Sequence, residues 1–173
     1  MNEQEISGVV QAVLEGMKNT GSEHAAGHVC TCNKHKMTLE KANALIEKVQ
    51  AKASEMGVRA VVAVADPAGR PVSVQSMDGA YIASFDIALN KSFTSASLKM
   101  STEALSGLSQ PGQPLYGIQF TNGGKIVIFG GGEVLEAGGK VIGALGVSGG
   151  TAKQDTELAA YGREVFKEVI ACL

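Results

Sequence analysis

The chain has 173 residues, 45% hydrophobic and 18% charged, with a formal net charge of −2. A chain of this size buries roughly 70% of its extended surface, no stretch approaches the ~20 apolar residues of a membrane helix, and the near-neutral balance lacks the basic face of a nucleic-acid binder. Twenty-two glycines set against three tyrosines, five phenylalanines and no tryptophan predict an aliphatic core with many tight turns.

The opening residues Met1-Asn2-Glu3-Gln4-Glu5 are acidic and lead into no apolar run, so no secretory signal is expected. Residues 3–18 place Ile6, Val9, Val10, Val13, Leu14 and Met17 on one helical stripe. Residues 19–36 have no period and read as a linker. A second helix is predicted from Thr38, a good N-cap, to Met56, with Gly57 as its stop. Val58–Ala65 and Pro71–Ser76 read as two strands joined through the turn Asp66-Pro67-Ala68-Gly69. A third helix is expected over Tyr81–Lys99, with Ile82, Phe85, Ala88, Leu89, Phe93 and Ala96 facing inward, and a short helical turn over Thr102–Ser106. The stretch 107–124 is too long for a plain connection. Strands are predicted at Lys125–Phe129, Val134–Glu136 and Lys140–Val147, the last two joined across Gly138-Gly139. A final helix is expected over Ala152–Ile170. Hairpins dominate this order, which predicts an α+β domain whose antiparallel sheet is flanked by helices; a doubly wound sheet fails on connectivity. The expected organisation is an amphipathic helix over 1–18, a linker over 19–36 and one domain over 37–173.

Several groups of residues can carry chemistry. His24, His28, Cys30, Cys32 and His35 put five imidazole or thiolate ligands within twelve residues, a set suited to zinc or iron. Their spacing matches no standard site, and a linker that happens to hold them is the alternative. Cys30 and Cys32 are too close for an easy bridge, so a secreted disulfide framework is not expected and the chain reads as cytosolic. Cys172 carries no assigned role. Glycines at 123–124, 130–132, 138–139 and 149–150 either supply turns and close backbone approach or, in Ser148-Gly149-Gly150, present N–H groups to an anion at a helix start. Asp78, Asp86, Asn90 and Lys91 cluster in sequence, and Lys91 is either a proton carrier and anion partner or a surface residue. Tyr81 and Tyr116 adjoin glycine-rich stretches and either line a pocket or pack. From Met37 onward there is no histidine, which speaks against imidazole acid–base catalysis in the domain.

Three stretches combine into a more specific signal: Met77-Asp78-Gly79-Ala80 before Ala88-Leu89-Asn90-Lys91-Ser92-Phe93-Thr94, the loop Gly130-Gly131-Gly132, and Val141-Ile142-Gly143-Ala144-Leu145-Gly146-Val147-Ser148-Gly149-Gly150 followed by Gln154-Asp155. Over about residues 37–171 the chain resembles the GlcG/HbpS family of haem-degrading or haem-binding proteins, to which the C-terminal domain of PduO proteins belongs. The resemblance implies a profilin-like fold with a five-stranded antiparallel sheet, homo-oligomers that are often octamers, and haem binding with weak redox or haem-breakdown activity. Many relatives carry Phe-Pro-Gly-Gly-x-Pro where this chain has Phe129-Gly130-Gly131-Gly132-Glu133. The adenosyltransferase part of PduO proteins has no counterpart, so cobalamin adenosylation is not expected. The 3–18 helix on its linker resembles the encapsulation peptides of bacterial microcompartment cargo.

The reading that follows is an accessory protein binding haem or a related tetrapyrrole, cytoplasmic and inside a bacterial microcompartment. Residues 3–18 would meet shell or core proteins. His28, His35, Asp78, Lys91, Ser148 and Gly149 are the candidate cofactor contacts, and His24, His28, Cys30, Cys32 and His35 the candidate Fe or Zn ligands. The rival readings are an enzyme acting on a small organic acid or aldehyde through Asp78 and Lys91, and an oligomeric scaffold bridging cargo to shell.

Overall fold

A computed structural model describes residues 36–172. The expected helix over 3–18 and the segment holding His24, His28, Cys30, Cys32 and His35 lie outside the described residues.

Helix α1 (Leu39–Glu55) starts where Thr38 caps it, its hydroxyl accepting the Lys41 N–H at 3.2 Å. Its stripe of Ala42, Leu45, Ile46, Val49 and Ala53 is fully buried, and each such aliphatic side chain of Val or Leu size contributes roughly 1.5–3 kcal/mol on leaving water. Gly57 follows at φ 69°, a conformation that ends the helix cheaply in glycine alone. Strands β1 (Val61–Ala65) and β2 (Pro71–Ser76) form the expected hairpin. Its turn is closed by Asp66, whose Oδ1 accepts the N–H groups of Ala68 and Arg70. Helix α2 (Ser84–Leu98) ends on Lys99 in the left-handed region, and the short α3 (Thr102–Leu108) is capped by Ser101. Strands β3 (Gly132–Ala137) and β4 (Lys140–Ser148) meet through Gly138-Gly139, both at positive φ, and α4 (Ala152–Cys172) closes the fold.

The sheet runs β2-β1-β4-β3 with every neighbouring pair antiparallel. Helices α1 and α4 cover one face, burying Leu45, Ile46 and Val49 with Val62, Val64, Leu145, Val147, Leu158 and Phe166. Helix α2 covers the other face over Val61 and Ala63. No helix among the described residues is long and apolar enough to cross a membrane.

Two expectations are corrected. The sheet has four strands, not five: Lys125–Phe129 is irregular. Its backbone bonds to a side chain of α2 instead of a neighbouring strand: Thr94 Oγ1 accepts the Val127 N–H at 3.0 Å, and its single proton lies between the Asn90 carbonyl at 2.7 Å and the Lys125 carbonyl at 3.3 Å. Nor does α2 face inward with its large residues. Ile82, just ahead of it, is 97% exposed and Phe85 46%, while Ser84, Ala88, Lys91, Ser92 and Ser95 are buried. The reason is closeness. A side chain on Gly146 would collide with the Ala88 carbonyl, so the α2 backbone lies directly on β4 and only small residues fit between.

Candidate functional site

The inward face of α2 carries one charge, Lys91, whose side chain is fully enclosed. Its Nζ donates to Asp155 Oδ2 on α4 at 2.8 Å and to the Val147 carbonyl on β4 at 2.8 Å. The Phe129 ring stands over the ammonium, 4.9 Å from centroid to Nζ, in the geometry of a cation–π contact. Burial holds the amine below the ordinary lysine value, and the neighbouring Asp155 carboxylate opposes that shift without reversing it.

Asp155 works with both oxygens. While Oδ2 holds Lys91, Oδ1 accepts the N–H groups of Gly149 and Gly150 at 3.1 and 2.9 Å. The two N–H donors expected to meet an external anion are therefore occupied by the protein's own carboxylate. Thr151 and Gln154 cap each other across the first turn of α4.

The glycine loop is the wall of this centre, as close backbone approach requires. A methyl group on Gly131, at φ 113°, would lie 2.6 Å from Lys91 Nζ, 2.7 Å from the Val147 oxygen and 2.8 Å from Asp155 Cβ. On Gly132 it would meet Thr102 and Ser95, and on Gly130 the Thr156 hydroxyl. The Gly132 N–H donates to Thr102 Oγ1 at 2.8 Å.

Two clefts flank the centre. One of about 580 Å³ is lined by Phe129, Gly130, Ala152, Thr156 and Ala160, with Lys153 and the carboxylates Glu103 and Glu157 also on its walls. The other, about 450 Å³, is lined by Arg59, Gly79, Tyr81, Gly149, Gly150 and Gln154. Of the sequence candidates, Lys91 sits at the buried centre and Gly149 lines the smaller cleft. Ser148 is buried behind it, its hydroxyl donating to Ser84 Oγ at 3.2 Å. Asp78 is exposed in the turn before α2, Asp86 is exposed on the helix, and the carboxylate that reaches Lys91 is Asp155. Tyr81 is 73% exposed at the smaller cleft, and Tyr116 is exposed in the long loop.

Sequence reasoning missed Asp155, Phe129 and a second pair. Glu133 on β3, nearly enclosed, accepts a hydrogen bond from Arg163 Nη1 at 3.1 Å. Burial raises its carboxyl above the usual range against the pull of Arg163. Alternation along β3 is the one signal that could have found Glu133, since it breaks an otherwise apolar inward run. Among the described residues no group of three or more His, Cys, Asp or Glu is placed to hold a metal ion.

Comparison with known proteins places this geometry. The profile of a family described as "Haem degrading protein HbpS-like" matches residues 37–164. The chain is 45% identical over 133 residues to an uncharacterized 15.0 kDa protein from the dhaT-dhaS intergenic region of Citrobacter freundii, covering 77% of this chain and 94% of that one. It is 38% identical over 108 residues to the corrinoid adenosyltransferase PduO of Salmonella typhimurium, covering 62% of this chain and only 32% of PduO. Among solved structures, the PduOC:heme complex superposes with a TM-score of 0.72 at 32% identity, over 75% of this chain and 94% of that one.

Proposed function

The chain belongs to the HbpS-like family, and from that membership we propose that it is an accessory protein binding haem or a related tetrapyrrole. The observation that carries the reading is the likeness to the PduOC:heme complex, which runs through nearly the whole of that chain at 32% identity.

The described residues suit the organic part of a haem better than its iron. The cleft of about 580 Å³ falls within the range of small-molecule sites, roughly 300–1,000 Å³, and its wall of Phe129, Gly130, Ala152 and Ala160 is largely apolar with Lys153 beside it. An ammonium there suits a propionate. No histidine exists from residue 37 onward, so imidazole ligation would fall to His28 or His35. Haem, when bound, supplies redox chemistry; the described residues contribute an apolar wall and the Lys153 cation, while Glu103 and Glu157 on the same walls would turn propionates away from their side of the cleft. A separate Fe or Zn at His24, His28, Cys30, Cys32 and His35 belongs to the same proposal.

The wider setting proposed is cargo of a bacterial microcompartment. Support comes from the apolar stripe over residues 3–18, the proposed contact with shell or core proteins, and from the PduO likeness. Homo-oligomers, octamers included, are proposed as well: Tyr81, Ile82 and Phe85 expose their side chains in one stretch, and apolar groups of that size are commonly covered by a partner surface.

A visible-absorbance haem titration of residues 1–173 beside residues 37–173 tests the reading. The shorter form matches the family profile. A saturable Soret shift in the full chain that is lost in the shorter one is the expected result and assigns ligation to the His24–His35 segment. A shift retained by both forms would move the iron ligand into the domain, and no shift in either would remove haem altogether.

A further inference from the structure

The haem reading leaves one buried reactive group unused. Lys91 is an amine enclosed at the centre of the domain, and what separates it from the larger cleft is thin. The Phe129 ring covers Nζ from 4.9 Å, and Phe129 also lines that cleft. Gly130 lines the cleft too, and Gly131 stands so near that a methyl group on it would lie 2.6 Å from Nζ. Phe129 is thus common to the amine and the cleft, and movement of its ring is what access from the cleft would require.

We propose that Lys91, held against Asp155 behind the Phe129 ring, captures short aliphatic aldehydes entering the 580 Å³ cleft as a Schiff base. The class follows from the surroundings. Access past a phenyl ring and glycine backbone to an amine that is 0% exposed would suit only a small neutral carbonyl compound. The amine has no hydroxyl or thiol for company; among the described groups at Nζ are one carboxylate, one backbone carbonyl and one ring. That set moves a proton and binds a cation. Desolvation is what makes a lysine a nucleophile towards carbonyl carbon, and Asp155 is the group within reach of its proton.

The step balances within the site. Asp155 Oδ2, 2.8 Å away, takes one proton from the ammonium. The freed nitrogen pair forms the C–N bond as the C=O π pair moves to oxygen, which takes up a nitrogen proton and gives a carbinolamine. Loss of that hydroxyl with the remaining nitrogen proton releases one water and leaves C=N. Asp155 then returns its proton to the nitrogen, so the product is an iminium cation and the ion pair with Asp155 is restored. No oxidant or reductant is consumed. This inference does not depend on haem binding.

The test treats the full-length chain with propanal, reduces with sodium borohydride, and locates propyl groups by peptide mass spectrometry. Exposed Lys99 and Lys125 serve as internal references. The expected result is a propyl group on Lys91 at aldehyde concentrations that leave both references unmodified. Phe129→Ala should speed that labelling, and Lys91→Arg, which keeps a cation for Asp155, should lose it while retaining the wild-type circular dichroism spectrum. Modification of Lys99 and Lys125 with Lys91 untouched overturns the proposal. So does labelling of Lys91 that occurs only in Phe129→Ala, because the native ring would then seal the amine permanently.

Discussion

At the scale of single residues, two buried ion pairs behave differently because one partner differs in exposure. Lys91 and Asp155 are both enclosed, so removing either strands a charge, which typically costs about 3–5 kcal/mol. Glu133 is enclosed but its partner Arg163 is half exposed, so Arg163 loses little if released to water. The folded-state value of the Glu133 carboxyl is raised above 4.5, with burial as the leading cause. The folded state therefore binds the proton more tightly than the unfolded state between 4.5 and the raised value, and stability falls as pH rises through that window. Glu133→Gln should be neutral or stabilising at pH 7 and should flatten that part of the curve. Urea unfolding midpoints across pH 4–7, wild type beside variant, check it; a marked loss of stability at pH 7 would show that the pair outweighs the burial.

At the scale of elements, glycine decides where α2 can sit. Gly146→Ala would drive a methyl group into the Ala88 carbonyl and the Ser92 amide, and overpacking against backbone costs about 1–3 kcal/mol or more. Gly107, inside α3, meets nothing within 4 Å of an added methyl. Gly107→Ala should therefore raise stability by about 0.5–1 kcal/mol. Opposite shifts in thermal midpoint are the expected readout, and equal shifts would refute the close-packing account. The same glycines explain what could be read from the sequence. Helices α1 and α4 were legible because apolar periodicity and burial coincide there. The inward face of α2 was not, since a helix resting on glycine buries Ser84, Ala88, Ser92 and Ser95 and leaves Ile82 and Phe85 outside. Lys125–Phe129 looked like a strand for its Val and Ile content, yet Thr94 took its hydrogen bonds. Of the site, Lys91 was visible as a residue, but its partner lies 64 positions away, a pairing that local pattern does not encode.

At the scale of the whole molecule, Ile82 is the most exposed large apolar side chain among the described residues at 97%, with Tyr81 beside it at 73% ahead of α2. If copies of the chain meet there, Ile82→Glu would place a carboxylate in the contact and shift the assembly to smaller species. Light scattering coupled to size exclusion reads this directly. An unchanged mass in an otherwise folded variant would place the contact elsewhere. The residue lies outside both core clusters, so its fold should survive the change.

The strand order carries a consequence for synthesis. The central pair joins β1 to β4, with Val61 opposite Ser148, so a nascent chain emerging from the ribosome holds β1 and β2, complete at Ser76, with one open flank until about seventy more residues arrive. At roughly 5–20 residues per second, that wait is of the order of 4–14 s. Throughout it, the apolar run Val61–Ala65 presents unpaired amide and carbonyl groups along its free side. The interval is long enough for chaperones to engage, and a slow translation rate would lengthen the period in which neighbouring nascent chains can pair through that flank.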